Sequence, residues 1–236
     1  MHLSFQHERV LAVTAHPDDA ELLCAGTLAR AQRDGAEIGL CIFCRGDKGQ
    51  SLRQVANLAA VRRKEMAAAA QLLNARLFRG NVADGTLHDS LPNRRKLVEV
   101  LRRFRPTLVL AHSPQDYHPD HRAASQLAEA ATWFSASRGQ ATKSPPLEQP
   151  PALWWMDTVN RSGFDAGFYI DVSDFVAIKK QMLACHASQL QRSADRDFTP
   201  LLDLMRSQLA ARGAEAGVPA AEAFRQHLAF KRARAW

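Results

Sequence analysis

The sequence predicts an α/β protein with a doubly wound, mostly parallel sheet flanked by helices. Short apolar runs, typical of strands buried on both faces, alternate with longer stretches of helical periodicity over residues 10–134. A polar turn follows most of these apolar runs, as expected where a strand leads into a crossover helix. Together these observations indicate a Rossmann-like arrangement.

Four strands and four helices are predicted in alternating order in this part of the chain. Glycine, asparagine and proline end three of the helices, because Gly35 and Asn74 suit a left-handed C-cap and Pro106 stops a helix. The strands are residues 10–14, 37–43, 75–78 and 107–111, and the helices are residues 21–34, 55–73, 93–104 and 122–134.

The rest of the chain reads differently. Residues 135–151 are rich in serine, glycine, glutamine and proline, which predicts a mobile loop or the edge of a lid. Two more strands, a helix and a mainly helical C-terminal segment with a break near Gly213 are expected. These elements are residues 152–156, 168–171, 174–188 and 191–236. We expect one domain over residues 1–236, with a core at 8–190 and a helical C-terminal extension at 191–236.

The composition is that of a globular protein, with 46% apolar residues and a mean hydropathy of −0.28. No stretch approaches the ~18 consecutive apolar residues of a membrane span. The polar N-terminus lacks the apolar region of a signal peptide. The expectation is a cytoplasmic protein without a membrane span.

The chain is basic, with a net charge of +7 and a pI near 9.6. Its basic runs lie at residues 62–64, 94–96, 102–103 and 231–234. Nucleic-acid binding is one interpretation of such runs. They fall on predicted helix faces without interleaved aromatic residues, which favours solvated faces, and no nucleic-acid partner is expected.

Two of the four cysteines, Cys41 and Cys44, form a C-x-x-C pair. Such a pair occurs in zinc and redox sites. Positions i and i+3 of a strand point to opposite faces, however, and no second pair accompanies this one. Buried structural thiols are therefore predicted.

Histidine and aspartate are concentrated in two short segments. The first cluster, residues 15–21, follows predicted strand one, and the second cluster, residues 116–121, follows predicted strand four. In the strand order 3-2-1-4 these two strands are neighbours, so the clusters converge at the switch point where ligands bind. Carboxylates repel each other unless a cation or proton compensates, which predicts one metal site with acid–base groups beside it. A dinucleotide fold would instead carry G-x-G-x-x-G after strand one.

Further short motifs occur in order along the chain, at residues 15–19, 45–49, 62–65, 84–85, 118–121, 186–189 and 221–224. With them the chain resembles the LmbE-like, or PIG-L, family of zinc-dependent deacetylases that act on N-acetylglucosaminyl compounds. It is most similar to the branch of bacterial thiol-biosynthesis deacetylases. The resemblance spans most of the chain.

The resemblance implies a metal held by His16, Asp19 and His121. Three such ligands suit a hydrolytic zinc site whose fourth position is open to water. The expected cofactor is Zn²⁺, although histidine and aspartate ligands are also compatible with Fe²⁺ or Mn²⁺.

The resemblance also implies the catalytic groups. Asp18 is expected to be the general base for a zinc-bound water, and His118 to stabilise the oxyanion or protonate the leaving amine. Asp120 would hold the His118 imidazolium in orientation. Taken singly, Asp19 or Asp120 could equally be the N-cap of a following helix.

Substrate contacts are expected from Arg62, Asp84, Arg45 and His186. The matching family residues of the first two contact sugar hydroxyls. Each has a structural alternative: surface salt bridges for Arg62 and Asp84, turn formation for Arg45 and helix capping for His186. Trp154 and Trp155 could line the pocket, but strand residues of this kind favour the core.

The predicted function is hydrolytic removal of an N-acetyl group from a GlcNAc-containing small molecule. An amidase of thiol–sugar conjugates and a non-catalytic metal- or phosphate-binding module are the alternatives. The resemblance implies a homo-oligomer, a trimer or hexamer.

Overall fold

The computed structural model describes residues 4–195 and 199–229. In these residues seven strands form one sheet: β1 (Arg9–Thr14), β2 (Glu37–Cys44), β3 (Arg76–Val82), β4 (Leu108–Ala111), β5 (Ala152–Met156), β6 (Phe168–Asp171) and β7 (Ala221–Gln226). The strand order is β3-β2-β1-β4-β5-β7-β6, and β1 to β5 are parallel. The predicted doubly wound order 3-2-1-4 is confirmed.

Eight α-helices of the described residues surround the sheet: α1 (Asp19–Leu23), α2 (Ala25–Arg33), α3 (Leu58–Leu72), α4 (Leu91–Phe104), α5 (Pro119–Phe134), α6 (Val176–Ala184), α7 (Ala187–Leu190) and α8 (Leu201–Ala216). The core has two layers because successive strand residues face opposite sides. Val10 and Ala12 of β1 enter one hydrophobic cluster, whereas Leu11 and Val13 enter the other. β1 is thus buried on both faces, as its continuous apolar run predicts.

The first predicted helix is broken in two at Cys24. The carboxylate of Glu222 accepts hydrogen bonds from the amides of Gly26 (2.9 Å) and Thr27 (2.7 Å) at the start of α2. The buried Lys179 ammonium group pairs with Glu222 and donates to the carbonyl oxygen of Leu22 (2.8 Å) at the end of α1. Helical periodicity does not reveal this break, because its stabilising partners come from distant segments.

The C-terminal segment is helical over Leu201–Ala216, as predicted, but it also contributes β7. This strand lies antiparallel between β5 and β6, with Phe224 opposite both Met156 and Phe168. Its sequence, AEAFRQ, favours a helix as much as a strand, so the pairing decides its conformation. We interpret the chain as one domain whose C-terminal part completes the sheet.

Residues 135–151, predicted to be a mobile loop or the edge of a lid, are hydrogen-bonded to α4. The guanidinium of Arg102 donates to the carbonyl oxygens of Ser135 (3.0 Å), Ser137 (2.7 Å) and Gln140 (2.8 Å) and fixes the segment against α4. The segment joins the end of α5 to the start of β5. A helix that follows a parallel strand runs back across the sheet, so this connection lies at the edge opposite the two His/Asp clusters.

Several other predictions can be compared with the structure. Arg62 and Arg102, expected on solvated faces, are both 3% exposed, whereas the basic run at residues 231–234 lies outside the described residues. Trp154 and Trp155 are buried in the two hydrophobic clusters. The described helices include none long and apolar enough to cross a membrane. The cysteines are free thiols, all buried except the partly exposed Cys185.

Candidate active site

The two His/Asp clusters meet at one edge of the sheet. β1 and β4 are parallel neighbours, with Ala12 opposite Leu110, so their carboxyl ends lie side by side. The chain after β1 turns into α1, and the chain after β4 turns into α5. The turn after β1 carries His16, and the first turn of α5 carries His121.

Three potential ligand residues approach one another pairwise within 3.6 Å, with Asp19 reaching His16 through Oδ2 and His121 through Oδ1. His16 Nδ1 is 3.2 Å from His121 Nε2 and 3.6 Å from Asp19 Oδ2, and His121 Nε2 is 3.3 Å from Asp19 Oδ1. Tetrahedral ligands at about 2.1 Å from a zinc ion lie about 3.4 Å apart. Two imidazoles and a carboxylate at this spacing fit a divalent cation such as Zn²⁺, and the donor types also suit Fe²⁺ or Mn²⁺.

Each imidazole of this triad is supported by a further carboxylate. His16 Nε2 contacts Asp120 Oδ2 at 3.0 Å, and His121 Nδ1 contacts Asp116 Oδ1 at 2.9 Å. Burial disfavours the charged imidazole, but Asp120 and Asp19 raise the pKa of His16 to about 10. In the same way, Asp19 and Asp116 outweigh burial and raise the pKa of His121 to about 9. The surrounding carboxylates therefore favour positive charge at this position.

The Asp120 carboxylate forms no hydrogen bond with the His118 ring, contrary to the contact expected from its predicted orienting role. The Asp120 carboxylate contacts His16 and accepts hydrogen bonds from the amides of Gly85 (2.7 Å) and Leu87 (3.2 Å). Only its backbone amide reaches the His118 ring, donating to Nδ1 at 3.1 Å. Asp120 is the second residue of α5, and its carboxylate contacts the His16 ring and not the N-cap residue His118. It therefore supports a candidate ligand.

His118 is the N-cap of α5, and this role defines its tautomer. Because Nδ1 accepts a hydrogen bond from the Asp120 amide, the proton of the neutral ring is on Nε2. Burial is the main reason that the pKa of His118 is lowered. The His118 ring meets the His16 ring edge to face, with centroids 4.7 Å apart, and lines the cavity beside the triad.

Asp18 has a strained backbone, with φ of 94° in the left-handed region. Its Oδ2 accepts a hydrogen bond of 2.7 Å from Arg62, which also donates to the carbonyl oxygen of Pro17. Burial raises the pKa of Asp18, although the Arg62 guanidinium opposes the shift. The Asp18 carboxylate therefore faces Arg62 and lines the cavity beside the triad.

Sequence reasoning missed two supporting residues, Asp116 and His112. His112 is fully buried, lies 3.0 Å from Asp19 Oδ2 through Nε2, and stacks on the His121 ring with centroids 4.0 Å apart. Asp116 stood inside the second cluster, five residues before His121, and His112 directly follows β4. Both residues thus lie in or near the second cluster of the sequence, but the spacing of residues along the chain does not indicate which carboxylate contacts which imidazole.

A cavity of about 660 Å³ opens beside the triad. Its polar wall includes His16, Asp18, Asp19, Lys48, Arg62, Asp84, His118, His121 and Arg192, and its apolar wall includes Leu22, Val159, Leu201 and Leu204. The volume is within the range of small-molecule sites. None of residues 135–151 lines it.

The four predicted substrate contacts divide into two groups. Arg62 and Asp84 line the cavity, and Asp84 also holds the neighbouring loop by accepting hydrogen bonds from the amides of Gly46 (2.8 Å) and Lys48 (3.0 Å). Arg45 lies outside the cavity lining and pairs with a neighbouring aspartate in its own loop.

His186 is fully buried behind the cavity, with Nε2 at 3.2 Å from Glu21 Oε1. Burial lowers its pKa, but Glu21 outweighs that effect and the net shift is upward. The structure therefore places two of the four residues at the cavity and two outside its lining.

The sequence matches the family described as PIG-L, GlcNAc-PI de-N-acetylase, over residues 11–132. This match covers just over half of the chain and includes both His/Asp clusters. The chain belongs to the PIG-L family. The α/β fold of this PIG-L chain is shared with solved structures.

Two deacetylases and a hydratase are among the proteins to which this chain is similar. The 1D-myo-inositol 2-acetamido-2-deoxy-alpha-D-glucopyranoside deacetylase of Rhodococcus erythropolis is 25% identical over 84% of this chain and 75% of its own length. The structure of N,N'-diacetylchitobiose deacetylase from Pyrococcus horikoshii aligns with a TM-score of 0.82 and 26% identity, covering 93% of this chain and 84% of that one. The 4-oxalmesaconate hydratase of Pseudomonas putida is 28% identical over 60% of this chain and 58% of its own length.

Proposed function

We propose that this protein is a metal-dependent hydrolase that removes the N-acetyl group from a GlcNAc-containing small molecule, releasing acetate and a free amine. The observation that carries the proposal is the triad of His16, Asp19 and His121 beside an open cavity. Family membership and the two deacetylase relatives support the reaction type.

His16, Asp19 and His121 would hold the metal, and we assign Zn²⁺ as the ion. When bound, such an ion polarises an amide carbonyl and makes water more acidic. Asp116, Asp120 and His112 would hold the three ligands in position, because each contacts one of them through a side-chain hydrogen bond.

Asp18 is the proposed general base. Its carboxylate lines the cavity next to the triad, where it would take a proton from the attacking water and return it to the leaving amine. The Arg62 guanidinium holds this carboxylate through Oδ2, which leaves Oδ1 for the proton transfer.

His118 is proposed to donate a hydrogen bond from Nε2–H to the carbonyl oxygen as negative charge develops there. The bond from the Asp120 amide to Nδ1 makes the neutral donor the favoured form, so stabilisation of the oxyanion fits the geometry better than proton delivery by an imidazolium. Arg62 and Asp84 remain the candidate contacts to sugar hydroxyls. For Arg45 and His186 we propose supporting roles, since neither lines the cavity.

The hydratase relative supports a second candidate, the addition of water to an unsaturated acid. A metal site with a neighbouring base serves either reaction, because both begin with activation of water. The products distinguish them, since only the amide hydrolysis releases acetate. An amidase acting on a thiol–sugar conjugate would instead release a different acid.

The test combines metal analysis of the purified protein with an acetate-release screen over N-acetylhexosamine derivatives. Asp18→Asn should retain the metal and lower kcat by about 10²- to 10⁴-fold, whereas His16→Ala should lose both metal and turnover. Asp165→Asn, at an exposed position, is the matched control and should keep both. Full turnover in Asp18→Asn, or metal-loaded protein that releases acetate from no derivative, would refute the proposal.

A further inference from the structure

A second cavity, of about 200 Å³, lies beside Cys44 and Arg45 at the end of β2 and has no role in the proposed reaction. Arg45, Arg63 and Arg79 line it, together with Asn57 and Asn81. Its lining includes no acidic residue. The volume is below the range of drug-sized ligand sites and suits a small ion.

The arginines come from three separate elements. Arg45 follows β2, Arg63 lies on the second turn of α3, and Arg79 is on β3. A β-bulge directly after Arg79, where β3 carries one more residue than β2 between two paired positions, places Asn81 at the cavity. The convergence is therefore a product of the fold and not of a basic run in the sequence.

All three arginines are exposed to solvent, and two of them have no acidic partner among the described residues. Arg45 pairs with Asp47 at 2.7 Å. Across residues 4–195 and 199–229, neither Arg63 nor Arg79 forms an ion pair or a side-chain hydrogen bond. Guanidinium groups that share a small cavity repel one another, and a bound anion would relieve this repulsion.

The start of α3 adds hydrogen-bond donors to the same cavity. Asn57 is its N-cap but forms no side-chain cap, and the first turn contains no acidic residue. Ala59 and Ala60 of this turn line the cavity, and the Ala60 amide already donates to the carbonyl oxygen of Asn57 at 2.9 Å. In a 15-residue helix the first amides and the positive end of the dipole attract an anion.

We propose that this cavity binds a tetrahedral oxyanion of the phosphate class, held by Arg63 and Arg79 at the N-terminus of α3. Each planar guanidinium group can donate two parallel hydrogen bonds to phosphate oxygens, and the helix amides can donate to an oxygen that the arginines do not reach. The site is distinct from the proposed metal centre, and its occupation does not depend on the deacetylase proposal.

The test is a calorimetric titration of the full-length protein with inorganic phosphate at constant ionic strength. The double variant Arg63→Gln/Arg79→Gln should weaken binding by about 10- to 100-fold. The control Arg95→Gln/Arg138→Gln removes the same charge from exposed positions that do not line the cavity, and should bind as the wild type does. Phosphate bound at the metal centre would be unaffected by either variant.

A second variant separates binding from folding. Ala59→Asp places a carboxylate in the first turn of α3, where it favours the helix but repels an anion. It should weaken phosphate binding at least about tenfold without lowering the melting temperature.

A parallel titration uses glucose 6-phosphate in place of inorganic phosphate. Tighter binding of inorganic phosphate indicates a site for the free ion, and tighter binding of glucose 6-phosphate indicates a site for the phosphate group of a larger molecule. The proposal is overturned if wild-type protein binds neither probe at millimolar concentration. It is also overturned if the arginine double variant and Ala59→Asp bind phosphate as tightly as the wild type.

Discussion

At the scale of single residues, closeness in sequence is a poor guide to which side chains touch. Asp18 and Asp19 are adjacent, yet one pairs with Arg62 and the other with imidazoles. Asp120 is two residues from His118 but contacts His16. These assignments depend on backbone direction at each position, which for Asp18 includes a strained left-handed conformation.

The corrected position of Asp120 leads to a testable difference. Asp120→Asn removes the negative charge behind His16 and should weaken metal affinity by about 10- to 100-fold. Asp89→Asn, which removes a partly exposed partner of Arg94, is the control and should leave metal affinity unchanged. Competition with a chelator measures both. Normal metal affinity with lowered kcat would instead support an action of Asp120 on His118.

Gly46 gives a second prediction at this scale. A Cβ at Gly46 would lie 2.6 Å from Cδ of Arg62, and the residue has φ of +71°, so Gly46→Ala should displace Arg62 from Asp18. Gly217→Ala is matched in backbone, with φ of +70° and no atom within 4 Å of the added Cβ. Both variants should lose about 1–2 kcal/mol of stability in urea unfolding, because each strains the left-handed region.

Only Gly46→Ala should also lower kcat/KM, by about 10- to 100-fold, because misplacement of a catalytic group is costly. Equal activity of the two variants would show that Arg62 does not need its present position.

At the scale of elements, segments with strong local signals were predicted well, and segments governed by distant partners were not. The long helices and the first six strands follow from periodicity and from Gly and Pro signals. The break at Cys24 and strand β7 do not, since Glu222 and Lys179 stabilise the first and pairing with β5 and β6 decides the second. The composition of residues 135–151 predicted mobility, but Arg102 fixes them.

This fixed segment gives the prediction at the element scale. Arg102→Gln removes charge-assisted hydrogen bonds to several carbonyl oxygens and should cost roughly 2–3 kcal/mol. It should speed proteolytic cleavage within residues 135–151 and leave kcat/KM within about twofold, since the segment lies away from the cavity. Arg95→Gln, at an exposed position on the same helix, should change neither. A large fall in kcat/KM would restore the lid interpretation.

At the scale of the whole molecule, the sheet brings together several carboxylates whose negative charge must be compensated, either by protonated His16 and His121 or by a metal ion. Asp19, Asp116 and Asp120 are each at most 4% exposed. Because these carboxylates repel one another, the stability of the folded protein depends on the positive charge bound between them. The homo-oligomer and the cytoplasmic location implied at the sequence level stay predictions.

Metal removal should therefore destabilise the entire domain. At a free metal concentration of about 1,000 times Kd, binding contributes about 4 kcal/mol, so chelation should lower the melting temperature by roughly 8–16 °C. His16→Ala should show little further decrease with chelator. A melting temperature that is insensitive to chelator in the wild type would contradict a stable metal centre.

The sequence alone determined the alternation of strands and helices, the sheet order around β1 and β4, and the convergence of the two His/Asp clusters, whereas the choice of His16, Asp19 and His121 as ligands came from the family resemblance. These follow from local periodicity and from the rule that parallel strands end at a common edge. Only the tertiary structure decided which carboxylate supports which imidazole, where β7 inserts and how the three arginines converge. Such contacts join residues far apart in the chain, and their geometry depends on side-chain directions that local sequence patterns do not encode.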